Sequence, residues 1–245
     1  MYGIVSKRSA AGALGVVAMV VAVAGCDSDA ASGSAPRASA VPSTPQDWYR
    51  GEQPILRAQE DAVGGRLWVL TSEGVGLYDA ATRLKVAQIA LPGWLWADEI
   101  FACPPDLAIG PRGEAVISSN VVPTLWRIDP VTLQASRHEV LLDDDKGKDV
   151  GFTGLAYSAR QQAFFAVSGL HGSLWRIDAS LQRAQNVPLS EPLPGACVIA
   201  LRPRAADQRA NRFAALCVRA DNAGWSVNLA PDQRSGFVRP GRCMG

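Results

Sequence analysis

Leu125-Trp126-Arg127-Ile128-Asp129 returns unchanged as Leu174-Trp175-Arg176-Ile177-Asp178, with the two aspartates 49 residues apart. Agreement at five consecutive positions over that distance points to a duplicated module rather than to shared propensity. A step of 50 back from Asp129 reaches Asp79, in Val75-Gly76-Leu77-Tyr78-Asp79. A step of 50 on from Asp178 reaches Asn228, in Gly224-Trp225-Ser226-Val227-Asn228. The marks therefore stand at intervals of 50, 49 and 50 residues, the outer two in degraded copies.

Each copy has the same internal order. About ten residues before each mark lies an apolar run: Leu67-Trp68-Val69-Leu70, Ala115-Val116-Ile117, Phe164-Phe165-Ala166-Val167 and Phe213-Ala214-Ala215-Leu216. Before it comes a Gly-containing or polar turn and another short apolar run, such as Leu107-Ala108-Ile109 or Leu155-Ala156-Tyr157. After the mark come a turn and a last strand-like piece, Val86–Leu91 in the first copy. Short runs rich in β-branched and aromatic residues, punctuated by Gly, Pro and Asp, predict strands joined by hairpins. No segment after residue 50 offers a long 3.6-period apolar stripe. The expectation is an all-β array of about four four-stranded units, at about 52–93, 104–142, 151–190 and 195–240. Asp79, Asp129 and Asp178 read as turn caps, each carboxylate accepting backbone N–H groups two residues on, and Asn228 has the chemistry to do the same.

Four strands every 50 residues, with hydrophobic-Asp-Pro closing the third, resembles the blades of β-propellers of the quinoprotein-like and YVTN/NHL-like types. The resemblance covers about residues 52–240. It implies sheets packed face to face around an axis, each burying its face only against a neighbour. Propellers of this kind usually carry six to eight blades. About four units here leave three arrangements open: a four-bladed ring, an incomplete ring, or half of a two-chain assembly. An open arc would expose apolar faces and favour a homodimer.

The first 26 residues, MYGIVSKRSAAGALGVVAMVVAVAGC, belong to no unit. Lys7 and Arg8 are followed by a run of 16 small or apolar residues from Ala10 to Gly25, shorter than the roughly 20 that span hydrocarbon as a helix. A positive start, a short apolar middle and a small-residue end make a secretory signal. Val23-Ala24-Gly25-Cys26 resembles the lipobox of bacterial lipoproteins, which implies cleavage after residue 25 and lipid attachment at Cys26. Residues 27–47, rich in Ser, Ala and Pro, have little to bury and read as a flexible tether. Residues 48–245 are then the folded domain. The expected location is extracytoplasmic, anchored by lipid to a bacterial membrane, inner or outer. Lys+Arg at 24 against Asp+Glu at 23 gives no basic excess for nucleic acid.

With Cys26 lipidated, Cys103, Cys197, Cys217 and Cys243 remain, an even number that in an exported domain reads as two disulfides. Three pairings are open. If 196–202 and 212–218 are the first strands of the last unit, hairpin pairing that matches 202 with 212 sets Cys197 opposite Cys217. Cys103 and Cys243 would then form a clasp between the segment joining units one and two and the C-terminus.

No G-x-S-x-G, H-E-x-x-H, C-x-x-C or phosphate-binding glycine loop occurs. Gly74-Val75-Gly76 reads as a turn, His138-Glu139 as a solvated strand pair, and Asp143–Asp149 as a solvated loop whose lysines oppose a cation. Trp94 and Trp96, between units one and two, and His171, in a loop, are the candidates for a partner surface. The expectation is a binding or scaffold module of the cell envelope with an unidentified protein partner and without catalytic residue, metal or cofactor. The alternative, carried by resemblance to gluconolactonase-like propellers, is a metal-dependent hydrolase using Glu114 and Asn120.

Overall fold

The computed structural model describes residues 53–98, 103–143 and 150–201, and beyond these the backbone of strands within 215–240. Every regular element among them is a strand. Strands β1 (Ile55–Asp61), β2 (Arg66–Thr71), β3 (Gly74–Asp79) and β4 (Lys85–Ile89) form the first antiparallel sheet, each beside the next. Strands β5 (Leu107–Ile109), β6 (Ala115–Ser118), β7 (Thr124–Ile128) and β8 (Ala135–Glu139) form the second. After the short β9 (Leu141–Leu142), strands β10 (Gly154–Ser158), β11 (Ala163–Ser168), β12 (Ser173–Asp178) and β13 (Arg183–Val187) form the third. The fourth holds β14 (Val198–Leu201), β15 (Ala215–Ala220), β16 (Ala223–Leu229) and β17 (Gly236–Pro240). The first strands lie together, β1 against β5, β5 against β10 and β10 against β14. The fourth strands lie at the far edge of their sheets, except in the third, where β9 pairs beyond β13. This is a β-propeller-like architecture.

The repeated pentapeptide explains the packing. Side chains alternate across a strand, so successive residues face opposite neighbours. On β7, Trp126 and Ile128 pack into the core shared with the first sheet, while Leu125 enters the core shared with the third. On β12, Trp175 and Ile177 point back to the second sheet and Leu174 forward to the fourth. Trp68, Trp126 and Trp175 are all fully buried. The first sheet is buried on its other side too: Leu67, Val69 and Tyr78 are under 9% exposed.

Two details depart from the sequence reading. Leu141 and Leu142, which the spacing assigns to the second unit, pair in parallel with Arg183 and Ala184 of the third sheet. Leu141 N–H donates to Gln182 and Asp143 N–H to Ala184, so the connecting chain covers the outer edge of β13. The other departure is register. In the last sheet Ala200, not Cys197, lies opposite Cys217. Cys197 falls just before β14, and its sulfur is bonded to Cys103, with the two Cα atoms 4.8 Å apart. The pairings Cys197–Cys217 and Cys103–Cys243 are thus corrected: a shift of three residues in the hairpin takes Cys217 out of reach, and Cys243 lies outside the described residues. The signal segment, Cys26, the tether and residues 144–149 also lie outside them.

Truncating either core indole leaves a cavity between two sheets that cannot slide together independently. Trp126→Ala and Trp175→Ala should each cost about 3–5 kcal/mol, read as a lowered denaturation midpoint in chemical unfolding. A loss under about 1 kcal/mol would be typical of a surface position and would contradict this packing.

Candidate functional site

The two ends of the sheets carry different chemistry. At one end lie the marked turns. Asp79 Oδ1 accepts N–H bonds from Ala81 (3.1 Å) and Thr82 (2.7 Å), and Asp129 Oδ1 accepts them from Val131 (2.9 Å) and Thr132 (2.8 Å). The Thr82 and Thr132 backbone donors are the main reason those carboxyls lie below the usual range. At Asp178 burial works against the charge, but bonds from Ser180, Gln182 and Arg183 together outweigh it and lower this carboxyl as well. Its turn is one residue shorter, so its backbone donors lie four and five residues on rather than two and three. Each turn closes on a residue in the left-handed region: Arg83 (φ 62°), Leu133 (φ 57°) and Leu181 (φ 62°). The aspartate caps hold this disfavoured conformation in place. Asn228 is the penultimate residue of the corresponding third strand, β16, and its side chain lies outside the described residues.

These turns also join neighbouring sheets. Arg66, at the start of β2, donates to the carbonyl of Pro130, and Arg127 of β7 donates to the carbonyl of Ala179. In both cases the acceptor follows the marking aspartate of the next sheet. The sequence shows the caps; it does not show these cross-sheet bonds, because they require the sheets to be placed first.

At the opposite end, polar groups converge on Asp106. This residue immediately precedes β5 and is almost fully buried. Its Oδ1 accepts the N–H of Leu107 (2.8 Å), and its Oδ2 accepts the N–H of Leu155 in the third sheet (2.8 Å). Arg57 Nε of the first sheet lies 2.8 Å from Oδ1, a charge contact that is not aligned as a hydrogen bond. One carboxylate thus touches three sheets. Burial pushes it up to about 6, against the opposing pull of Arg57 and the Leu155 and Leu107 N–H groups. Gln59 plays a parallel part, accepting the N–H of Ile109 at 3.0 Å. Thr153, at the place before β10 that Asp106 holds before β5, donates to Ala196 (2.6 Å).

The chain between β4 and β5 lies over this end. Asn120 clamps it, accepting from Ala97 N–H (2.9 Å) and donating to the carbonyls of Ala97 (2.7 Å) and Cys103 (3.0 Å). Ser119 Oγ donates to Leu95, and Trp94 Nε1 donates to Ser118 at 3.1 Å. Gly151 presses on the same turn: a Cβ there would stand 2.1 Å from the Asn120 backbone. The Cys103–Cys197 disulfide ties this connection to the approach to β14, beside Gly169 of the β11–β12 loop.

Trp94 and Trp96 stack with centroids 5.7 Å apart. Both are half-buried rather than exposed, and the side chain that stands out is Leu95, 54% exposed. His171 is half-buried in the β11–β12 loop, next to the exposed Leu170. His138, on β8, has Nε2 2.9 Å from Ser136 Oγ, and burial, helped by Arg127, lowers its basicity. Glu114 is buried, accepts the Arg112 N–H at 2.7 Å and sits before β6, whereas Asn120 follows it. Five residues lie between them, including all four of β6, so the two sit at opposite ends of that strand. They do not form one site. Among the described residues no group of three His, Cys, Asp or Glu side chains is arranged to hold a metal.

Solved structures with this arrangement of sheets place the chain among β-propeller-like proteins. Kuenenia stuttgartiensis hydrazine synthase matches with a TM-score of 0.55 at 12% identity, over 79% of this chain and 51% of its own. Virginiamycin B lyase from Staphylococcus aureus matches with a TM-score of 0.53 at 13% identity, over 76% of this chain and 54% of its own. An auxiliary nutrient binding protein from Bacteroides thetaiotaomicron matches with a TM-score of 0.53 at 10% identity, over 77% and 42%. At these identities the likeness concerns the fold alone, and this chain spans about half the length of the structures it matches. No family model matches the sequence, and comparison with curated proteins finds no match.

Two measurements test this geometry. Non-reducing peptide mapping should recover Cys103 linked to Cys197, and replacing both with Ser should cost about 4–5 kcal/mol for a loop of this length in the chain-entropy picture. A Cys197–Cys217 peptide would refute the register. Asp106 makes a pH prediction with a definite sign. Its folded value of about 6 exceeds the usual 3.8, so the folded state binds the proton more tightly. This group's contribution is fully present below pH 4 and is lost as pH rises through 6. Asp106→Asn should remove about 3 kcal/mol of pH dependence between those limits, measured as unfolding free energy against pH. An unchanged slope would place the carboxylate outside this cluster.

Proposed function

We propose that this chain is an extracytoplasmic module, anchored to a bacterial membrane by lipid on Cys26, that works by binding rather than by catalysis. The observation that carries the binding reading is the state of the polar groups at the β5 end of the sheets. Asp106, Asn120, Ser119 and Thr153 are all spent on backbone donors or acceptors of neighbouring segments. The large apolar side chains that stand out at that face are Leu95 and Leu170, alongside the exposed carboxylates of Glu73, Asp98 and Glu191. The lipobox-like Val23-Ala24-Gly25-Cys26 supports the location.

The fold neighbours include two streptogramin-type lyases and a nutrient binding protein, so fold by itself does not choose between catalysis and binding. The hydrolase alternative needs Glu114 and Asn120 at one depth of a shared channel, and they lie at opposite ends of β6.

Phase partition with Triton X-114 should place the wild-type chain in the detergent phase, with incorporation of labelled palmitate, and should move Cys26→Ser to the aqueous phase. Cross-linking of intact membranes before solubilisation should then recover one envelope protein in stoichiometric yield with the tagged chain. Lactone hydrolysis that depends on added divalent metal would reverse the reading.

A further inference from the structure

The chain enters the folded body at the same face that carries the Trp94-Leu95-Trp96 knuckle. Ile55 opposes Thr71 and Ile89 opposes Val75, so β1 begins at the end where β4 finishes and the connection to β5 starts. The β11–β12 loop with the exposed Leu170 and the disulfide are at this end too. The opposite end holds the aspartate-capped turns and the β1–β2 turn, and its exposed apolar residues, Val63, Leu84 and Val131, stand on three separate turns.

We propose that this face is turned toward the bilayer and that Trp94, Leu95 and Trp96 seat in its interfacial layer. The inference rests on the lipid-anchored reading and adds the orientation of the body. Three observations carry it. Indole and leucine side chains are the ones that partition to the membrane interface, where an apolar body with a polar edge finds both environments. The knuckle is already rigid: the rings are stacked, Trp94 Nε1 is bonded to Ser118, and Asn120 holds Ala97 on both sides. Seating it therefore costs little conformational entropy. Finally, 26 residues lie between Cys26 and Gln53, and a coil of that length, as the sequence reading expects, spans roughly 30 Å. A tether of this reach keeps the knuckle at an effective concentration in the millimolar range at the surface, so even weak affinity suffices. Exposed Asp98 and Glu191 lie in connections at this end. The seat is apolar rather than electrostatic, and its occupancy is expected to be insensitive to salt.

The test uses the full lipidated chain, reconstituted into vesicles of phosphatidylcholine and phosphatidylglycerol, with and without acyl-chain bromination of the phosphatidylcholine. Bromolipid should quench part of the tryptophan emission, at most the share of two among seven tryptophans, and salt should not change it. The quenchable part should vanish in Trp94→Phe/Trp96→Phe. It should also vanish in Leu95→Asp, whose exposed side chain leaves the fold intact by circular dichroism. Floated protein without quenching, or quenching that survives both variants, overturns the seat while the anchor stands. A wild-type chain that fails to float with the vesicles overturns the anchor, and the seat with it.

Discussion

The first strand of every sheet has only one neighbour within its sheet, and its other edge points its backbone N–H groups away from any ladder. A buried donor left without an acceptor costs about as much as a lost hydrogen bond and more. The structure meets this constraint with side chains from the preceding sheet. Gln59 of β1 takes the N–H of Ile109 in β5, and Asp106 takes the N–H of Leu155 in β10 as well as its own neighbour's. Stacking one sheet on the next is therefore more than apolar burial. The first two interfaces are completed at the inner edge by a polar side chain that fits only when the neighbouring strand is in register.

The outer parts of the interfaces obey a second rule that the pentapeptide sets. Tryptophan and isoleucine face back, leucine and arginine face forward, and the arginine of β7 reaches the turn of the following sheet. The marked aspartate serves both levels. It caps its own turn, and by doing so it presents the next carbonyl to an arginine from the sheet before. That double use accounts for why an Asp-containing motif recurs with so little drift in a chain whose other positions vary freely between copies.

The same arrangement gives the polar groups at one end a structural use. Asp106 and Asn120 at the β5 end are occupied in holding connections together, and what stands outward there is Leu95 and Leu170 beside the exposed Glu73, Asp98 and Glu191. This end is also where β1 begins, beside the connection that leaves β4.

Periodicity alone was enough to read four sheets of four strands, because the spacing of turn residues and β-branched runs is a local property that each copy repeats. The caps at Asp79 and Asp129 were legible for the same reason: their donors are two and three residues away. The disulfide was not. Its pairing depended on a hairpin register that apolar pattern leaves free by a few residues, and the structure sets Ala200 rather than Cys197 against Cys217. The parallel addition of Leu141 and Leu142 to the third sheet, the three-sheet contacts of Asp106 and the half-burial of Trp94 and Trp96 were hidden as well. Each of these depends on segments about 25 to 95 residues apart meeting in space. Sequence determined the module and its count, since both follow from interactions within a single unit. Tertiary structure decided which polar groups are consumed in joining the modules and which surface is left over, since that follows from how the units touch.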